Sequence, residues 1–461
     1  MRKKLRKVAV YSFFDHTHIE ANLERMARKG WMLETMGNYL WTYRRIEPKG
    51  LHFTVSYAPK ASAFDPDLTE EQREFIDFCE RTLWRFVAAN AQLQVFCNEQ
   101  RDPVPIHTDP ILELETLHKA AKRSYIPSYC VLLALALIQL GLLAAGMIRD
   151  PIRQLASIAQ GAGIFDWLAL AVWIVCELGA YFLWRKRALK AAERGEFLAT
   201  PNLTRFQHII LALVLLDAAY LLLSLVFSND MLLLVCLLAA WAYFAVVAAG
   251  VNLTKNLLKR KGASRGVNRA VTIAVDVVLA FGGMALLIFF IIRAGESGRF
   301  DDAIKARASI PLVVEDLTDT GVPEEWYIRQ QTDRSSPLLT QYELHQYRDW
   351  HNADADGVAL PGIDYTITDV KAAFLFDFCR NKLLHAYDPD EQDIQFGFVG
   401  DYQPVDAAPW GAEEAYRLYW RENDGALNHW LLRYGRRFVK LGLDWEPTAE
   451  QMAIIGEKLG K

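Results

Sequence analysis

The chain has 461 residues, is 52% hydrophobic and 23% charged, and carries a formal charge of −4. One evenly packed soluble enzyme is excluded by where the apolar residues lie, because they gather between Ile126 and Ile292 instead of spreading along the chain. Counted as Lys plus Arg against Asp plus Glu, residues 1–125 hold 19 and 17, residues 126–292 hold 14 and 8, and residues 293–461 hold 18 and 30, leaving local balances of +2, +6 and −12. The first seven residues, Met1-Arg-Lys-Lys-Leu-Arg-Lys7, are basic like the head of a signal peptide, but the apolar run Val8–Phe14 is short and stops at Asp15. No cleaved signal is expected, and the basic run reads as a solvated terminus rather than a contact with anionic lipid.

Residues 7–97 alternate strand and helix signals. Val8–Phe14 predicts a strand, and Ile19, Leu23, Met26 and Ala27 recur at helical spacing until Gly30. Tyr39, Trp41 and Tyr43 then share one face of a second strand, Pro48-Lys49-Gly50 turns the chain, and Leu51, Phe53, Val55 and Tyr57 share a face of a third. A second helix is predicted from about Thr69, with Phe75, Phe78, Cys79, Leu83 and Phe86 on one side, before a last strand through Leu93, Val95 and Cys97. The order βαββαβ predicts a ferredoxin-like α+β domain over residues 1–124. Lys49–Val55 resembles the stacking motif of RNA-recognition folds, yet a balance of +2 is far from a basic footprint, so the aromatic residues read as a half-buried strand and no nucleic-acid partner is expected.

Phe14-Asp15, the helix end Met26-Ala27-Arg28-Lys29-Gly30-Trp31-Met32-Leu33, and the extended pieces Leu93–Phe96 and Pro105–Asp109 together resemble the domain-of-unknown-function family numbered 2812, over about residues 7–120. That resemblance implies a cytoplasmic N-terminal domain of a multi-span membrane protein, mostly in Gram-positive bacteria. It implies no activity, and there are no family active-site residues to carry over. Gly30-Trp31 has a physical reading of its own, a C-cap glycine followed by an aromatic that packs the chain back onto the sheet.

Five apolar stretches follow, Ile126–Ile148, Ile164–Trp184, Phe206–Phe227, Met231–Val251 and Ala270–Ile292, each close to the ~20 residues that cross hydrocarbon as helix. They predict a five-helix transmembrane region over residues 125–292 of a multi-pass cell-membrane protein. Arg185, Lys186, Arg187, Lys190, Arg194 and Arg205 follow the second stretch, and Lys255, Lys259, Arg260, Lys261, Arg265 and Arg269 follow the fourth. Between the first and second stand only Arg149 and Arg153, and Ser228-Asn229-Asp230 has no base. The basic loops are expected to be cytoplasmic, with the N-terminus beside them and the C-terminal domain outside. Cys130, Cys176 and Cys236 fall in spans, Cys79 and Cys97 in the first domain, and Cys379 alone in the last, which excludes an exterior intramolecular disulfide.

Glu177, Asp217 and Asp276 lie inside spans with no Lys or Arg at similar depth. Acids there face the bundle interior and often mark ion or proton paths, so the three form a candidate intramembrane ion or proton site, converging near one depth. The competing reading is that each is protonated and bonded to a neighbouring carbonyl or a polar group such as Gln139 or Thr272.

Residues 293–308 read as a linker and 309–461 as an extracytoplasmic α+β domain. Strands are expected at Ile310–Val314, Tyr327–Gln330, Ile363–Ile367, Ile394–Val399 and His429–Tyr434, with helices at Val370–His385 and Thr448–Leu459. Asn352–Gly357 imitates half a calcium loop but has Ile363 where the closing Glu belongs, so a surface turn is expected. His345, His351, His385 and His429 fit no metal spacing, and no nucleophile or phosphate motif occurs, so neither an enzyme nor a cofactor is expected. The −12 balance favours cationic or neutral partners. The arrangement suits a sensor or regulatory subunit in the lipid bilayer, meeting a protein partner through either soluble domain or assembling as a homo-oligomer. The alternative is an ion- or proton-coupled transporter, or its accessory subunit, using the three acids.

Overall fold

A computed structural model describes residues 4–37, 40–227, 231–296, 310–319, 321–349, 360–387, 400–420 and 425–461. The expected linker beyond Glu296, the turn at Asn352–Gly357 and the strand at Ile394–Val399 lie outside the described residues. The chain divides into two compact units, Met1–Gln139 with Asp166–Arg293, and Leu140–Phe165 with Ala294–Lys461.

The first unit opens with β1 (Lys4–Val8), α1 (His16–Arg28), β2 (Trp31–Met36), β3 (Leu40–Arg45), β4 (His52–Tyr57), α2 (Glu70–Arg81), β5 (Arg85–Asn90) and β6 (Leu93–Asn98). The strands form two three-stranded antiparallel sheets ordered β1-β3-β2 and β4-β6-β5, rather than the single ferredoxin-like sheet expected from βαββαβ. The topology is instead one βαββ unit written twice. In each copy the first strand pairs with the third, the hairpin carries a register shift (between Leu33 and Thr35, and between Phe86 and Ala88), and β2 of one copy lies beside β5 of the other.

Those shifts explain why β2 and β5 are hard to see in sequence, since a bulge breaks the alternation by which strands are recognised. Residues Ala9–Phe14, expected to extend a strand, leave the sheet after Val8. Ser12 and Phe14 are buried against the helices described below.

The two helices also end alike. Gly30 (φ +79°) donates to the Ala27 carbonyl, and Leu83 (φ +64°) donates to that of Glu80 while Trp84 donates to that of Cys79, closing a Schellman motif. Helix α2 therefore stops at Arg81, and Leu83 and Phe86 do not belong to it. Its start is marked by a capping box in which Thr69 and Gln72 bond each other's backbone N–H groups.

After α3 (Pro110–Arg123) come five helices long and apolar enough to cross a membrane: α4 (Tyr125–Arg149), α6 (Ile158–Ala192), α7 (Thr204–Phe227), α8 (Met231–Arg260) and α9 (Arg265–Glu296). They support a membrane location for the chain. Helix α6 has 35 residues, about 50 Å of helix against a hydrocarbon core of about 30 Å, so it must project beyond the bilayer.

The second unit is built on a seven-stranded antiparallel sheet, β10-β11-β12-β13-β9-β8-β7, from β7 (Tyr327–Ser335), β8 (Leu339–Arg348), β9 (Ile363–Val370), β10 (Gly400–Val405), β11 (Glu414–Trp420), β12 (Ala426–Tyr434) and β13 (Arg437–Leu443). One face buries Tyr365, Ile367, Trp430, Leu432, Val439 and Leu441 beneath α11 (Ala449–Leu459) and Trp410. The other buries Leu339, Val370, Leu431 and Phe438 against Cys379 of α10 (Phe376–Leu384) and against Ile152 and Ala156 of α5 (Pro151–Ala156). The short link between the first two apolar helices is thus part of the core of a domain that begins some 150 residues later. The expected strand at Ile310–Val314 does not form; that stretch ends in a 3-10 turn, Val314–Asp316.

A non-glycine residue held left-handed is strained by roughly 1–2 kcal/mol. Leu83 is 61% exposed, so Leu83→Gly relieves that strain at little packing cost and is expected to raise the thermal midpoint of the detergent-solubilised chain. Gly30→Ala is expected to lower it, because a Cβ there would stand 2.8 Å from the Ile46 carbonyl oxygen. Equal losses in the two variants would refute this account of the helix ends.

Candidate functional site

Residues Ser12–Asp15 enter the ends of α4, α6 and α7. Phe14, fully buried, packs its ring on Trp184 (centroids 5.6 Å apart) and Tyr181 (5.3 Å), and Phe13 stacks on Tyr125 at 5.4 Å. Tyr181, Trp184, Ala188 and Ala192 on the last turns of α6 belong to the same core as Ile19, Leu23, Phe53 and Val55 of the N-terminal domain. The surplus length of α6 is therefore a structural element of that domain.

Glu177, one turn above Tyr181, has no exposed surface. A buried carboxyl group needs hydrogen-bond partners to offset lost solvation. Glu177 Oε1 accepts from Ser12 Oγ (3.0 Å) and Gln207 Nε2 (2.5 Å), and Oε2 accepts from Tyr125 OH at 3.3 Å. The Gln207 amide also donates to Ser12 Oγ at 3.0 Å. Four parts of the chain far apart in sequence thereby meet at one side chain.

Around this point Asp15 caps α1 and accepts from Thr200 Oγ1 at 2.7 Å, with His18 Nδ1 at 2.6 Å. Thr200 N–H donates to Thr17 Oγ1 at 3.2 Å. Farther round, Arg265 at the head of α9 grips both carboxylate oxygens of Asp65 (2.5 and 2.7 Å), and Asn268 donates to the Phe64 carbonyl at 3.0 Å. The N-terminal domain is thus joined to the beginning of α4, the end of α6, the α6–α7 link and the beginnings of α7 and α9.

The three candidate acids stand in different surroundings. Glu177 is held as described, one oxygen of Asp217 is buried with no hydrogen-bond partner, and Asp276 is exposed on the surface of α9. No hydrogen bond or ion pair among the described residues joins any two of them. A fourth acid not singled out from sequence, Asp166, lies on α6. It stands two residues inside the second apolar stretch and so looked like its margin. Neither Ser12 nor Gln207 could be picked out from sequence, since nothing local links them to Glu177.

A second cluster of titratable groups lies where α1 and α3 cover β4. Glu20 Oε1 accepts from the Val55 N–H at 2.8 Å on the open edge of β4, and His16 Nε2 lies 3.6 Å from Glu113. Burial pushes the Glu20 carboxyl up to about 8, aided by Glu113 and Glu24 and opposed by the Val55 bond, and it pushes Glu113 up to about 7. Burial pushes His16 down to about 4, against the Phe14 carbonyl and Asp15 and with His107 and His18. Contact between a neutral imidazole and a protonated carboxyl, not an ion pair, describes His16 and Glu113 between about pH 4 and pH 7. Phe53 and Val55, the residues of the RNA-like motif, are buried beneath this layer and offer no stacking face. Among the described residues no group of three or more His, Cys, Asp or Glu side chains could hold a metal ion.

The linkage has a definite sign. Carboxyls raised above their unfolded value contribute stability that is complete below about 4.5 and is lost as pH rises through 7 and 8; the depressed His16 contributes stability that is complete above 6.5 and lost as pH falls toward 4. Between pH 6.5 and 8.5 the carboxyls are therefore expected to act alone, lowering the thermal midpoint of the N-terminal domain in the full chain. Glu20→Gln should flatten that slope, and a slope unchanged in Glu20→Gln with Glu113→Gln would assign the effect elsewhere.

No curated protein and no solved structure matches the chain. The family described as protein of unknown function (DUF2812) matches residues 15–129, so the resemblance seen in the N-terminal domain is borne out from Asp15 through the beginning of α4, a span that contains Tyr125 of the Glu177 cluster.

Proposed function

We propose that the chain is a membrane sensor or regulatory subunit in which an exterior C-terminal domain is linked to a small cytoplasmic domain by helix α6. The observation that carries this reading is a pair of attachments, one on the helix just before α6 and one on the last turns of α6. The segment just before it, α5, is buried in the C-terminal core through Ile152 and Ala156, and its last turns are buried in the N-terminal core through Tyr181 and Trp184. Signals passing along a helix need such grips, because a helix transmits displacement only where packing makes its two positions distinct.

The side of each attachment supports the reading. The N-terminal domain meets the links after the second and fourth apolar helices, and the C-terminal domain meets the link after the first, as an alternating five-span path requires. The basic residues around Arg185–Arg194 and Lys255–Arg269 favour the cytoplasm for the former. A protein partner would then read the position of the N-terminal domain.

Hydrogen exchange on the full chain in nanodiscs tests the coupling. Ile152→Ala loosens the grip at α5, and Glu177→Leu loosens that at Ser12. If α6 couples the domains, Ile152→Ala should change exchange in α1 about fivefold or more, near 1 kcal/mol, whereas Glu177→Leu should do so directly. An effect of Glu177→Leu with none of Ile152→Ala would remove the sensor reading.

Ion or proton transport through Glu177, Asp217 and Asp276 is the second reading, favoured by the buried Asp217 oxygen that has no hydrogen-bond partner. Proton-dependent flux in liposomes that disappears in Asp217→Asn would establish it, and flux no higher than in empty liposomes would end it.

A further inference from the structure

Among the described residues from 310 onward, only two large apolar side chains are exposed, Phe374 at 78% and Phe378 at 39%. They stand one helical turn apart, Phe374 in the 3-10 turn Ala373–Leu375 and Phe378 in α10 that follows it. Two exposed aromatic rings on one short ridge, in a domain that buries its other large apolar groups, indicate a surface that meets something apolar.

What covers it is indicated by its neighbours. Leu375, Phe376, Leu383 and Leu384, from the same ridge, pack into the core that contains Ile152 and Ala156 of α5. Lys371, at the root of the ridge, donates to Ser335 Oγ and the Ser336 carbonyl, and Ser336 Oγ donates to the Leu155 carbonyl at 2.6 Å. Helix α5 is separated from α4 by Asp150 alone and from α6 by Ser157 alone. It also folds back along α4, for a Cβ on Gly146 would stand 3.2 Å from Gln154 Nε2. Exposed apolar side chains continue along α4 as far as Ile148, 68% exposed. Helix α5 therefore lies beside the last apolar turn of α4, which on the membrane reading of α4 is where hydrocarbon gives way to headgroups.

We propose that the ridge carrying Phe374 and Phe378 docks on the bilayer, its two rings seated in the interfacial layer of the leaflet where α4 ends. Aromatic rings are favoured at that depth, and exposed Asp377 on the same ridge can stay hydrated among the headgroups. The docking rests on the membrane reading of α4 and goes beyond the sensor reading, because it makes the lipid surface itself a contact of the C-terminal domain. The packing and tension of the leaflet then bear on the same core that holds α5.

The test uses the full chain in liposomes with an environment-sensitive NBD label on single introduced cysteines, after Cys130, Cys176 and Cys236 are changed to Ala. Cys79, Cys97 and Cys379 are buried, and burial pushes the thiols up, to about 12 for Cys79 and about 11 for Cys379, so they stay unlabelled. Labels at Phe374→Cys and Phe378→Cys should be quenched by shallow nitroxide lipids and resist aqueous iodide about threefold better than a label at Lys461→Cys. Leu142→Cys, 62% exposed on α4, reports separately on insertion. Lipid quenching at residue 142 without quenching at 374 and 378 overturns the docking alone, as does iodide protection without lipid quenching, which would mean a protein cover. No lipid quenching at 142 overturns the membrane reading and the docking with it.

Discussion

A carboxyl group with no exposed surface, placed on a helix long enough to leave the bilayer, must be supplied with hydrogen-bond partners by something other than water. Glu177 obtains them from Ser12 and Gln207 at Oε1 and from Tyr125 at Oε2, so removing Tyr125 alone would leave a desolvated oxygen at a cost of roughly 1–3 kcal/mol. That constraint draws residues 9–14 away from the β-sheet and fixes where the N-terminal domain can sit. The stacking of Phe14 on Trp184 and the pairing of Arg265 with Asp65 then complete a contact whose polar centre is already specified.

The N-terminal domain meets this demand with a duplicated βαββ unit rather than a continuous sheet. Two half-sheets leave α1 free to lie over β4 of the other copy, where Glu20 covers the open edge at Val55. A protonated carboxyl is well suited to that position, because it covers an edge strand without burying a charge.

In the second unit the sheet is buried on both faces, one by α11 and the other partly by α5 from between two apolar helices. A domain whose core borrows Ile152 and Ala156 is tied to the membrane region by packing as well as by the backbone.

The amino-acid sequence by itself determined the five apolar helices, because hydropathy is additive along a chain and needs no partner. It also determined the helix ends at Gly30, Thr69 and Thr448, where capping is local. The family resemblance was legible from short motifs for the same reason. Strands β2 and β5 were hidden by bulges that break alternation, and the pairing order that makes two half-sheets was decided only when non-local strands met. Glu177 could be named as a costly acid, yet its partners lie 165, 30 and 52 residues away, and Ile152 finds its core in residues beyond 338. Contacts across such distances leave no periodic trace in a sequence, since they depend on which surfaces the folded chain brings together.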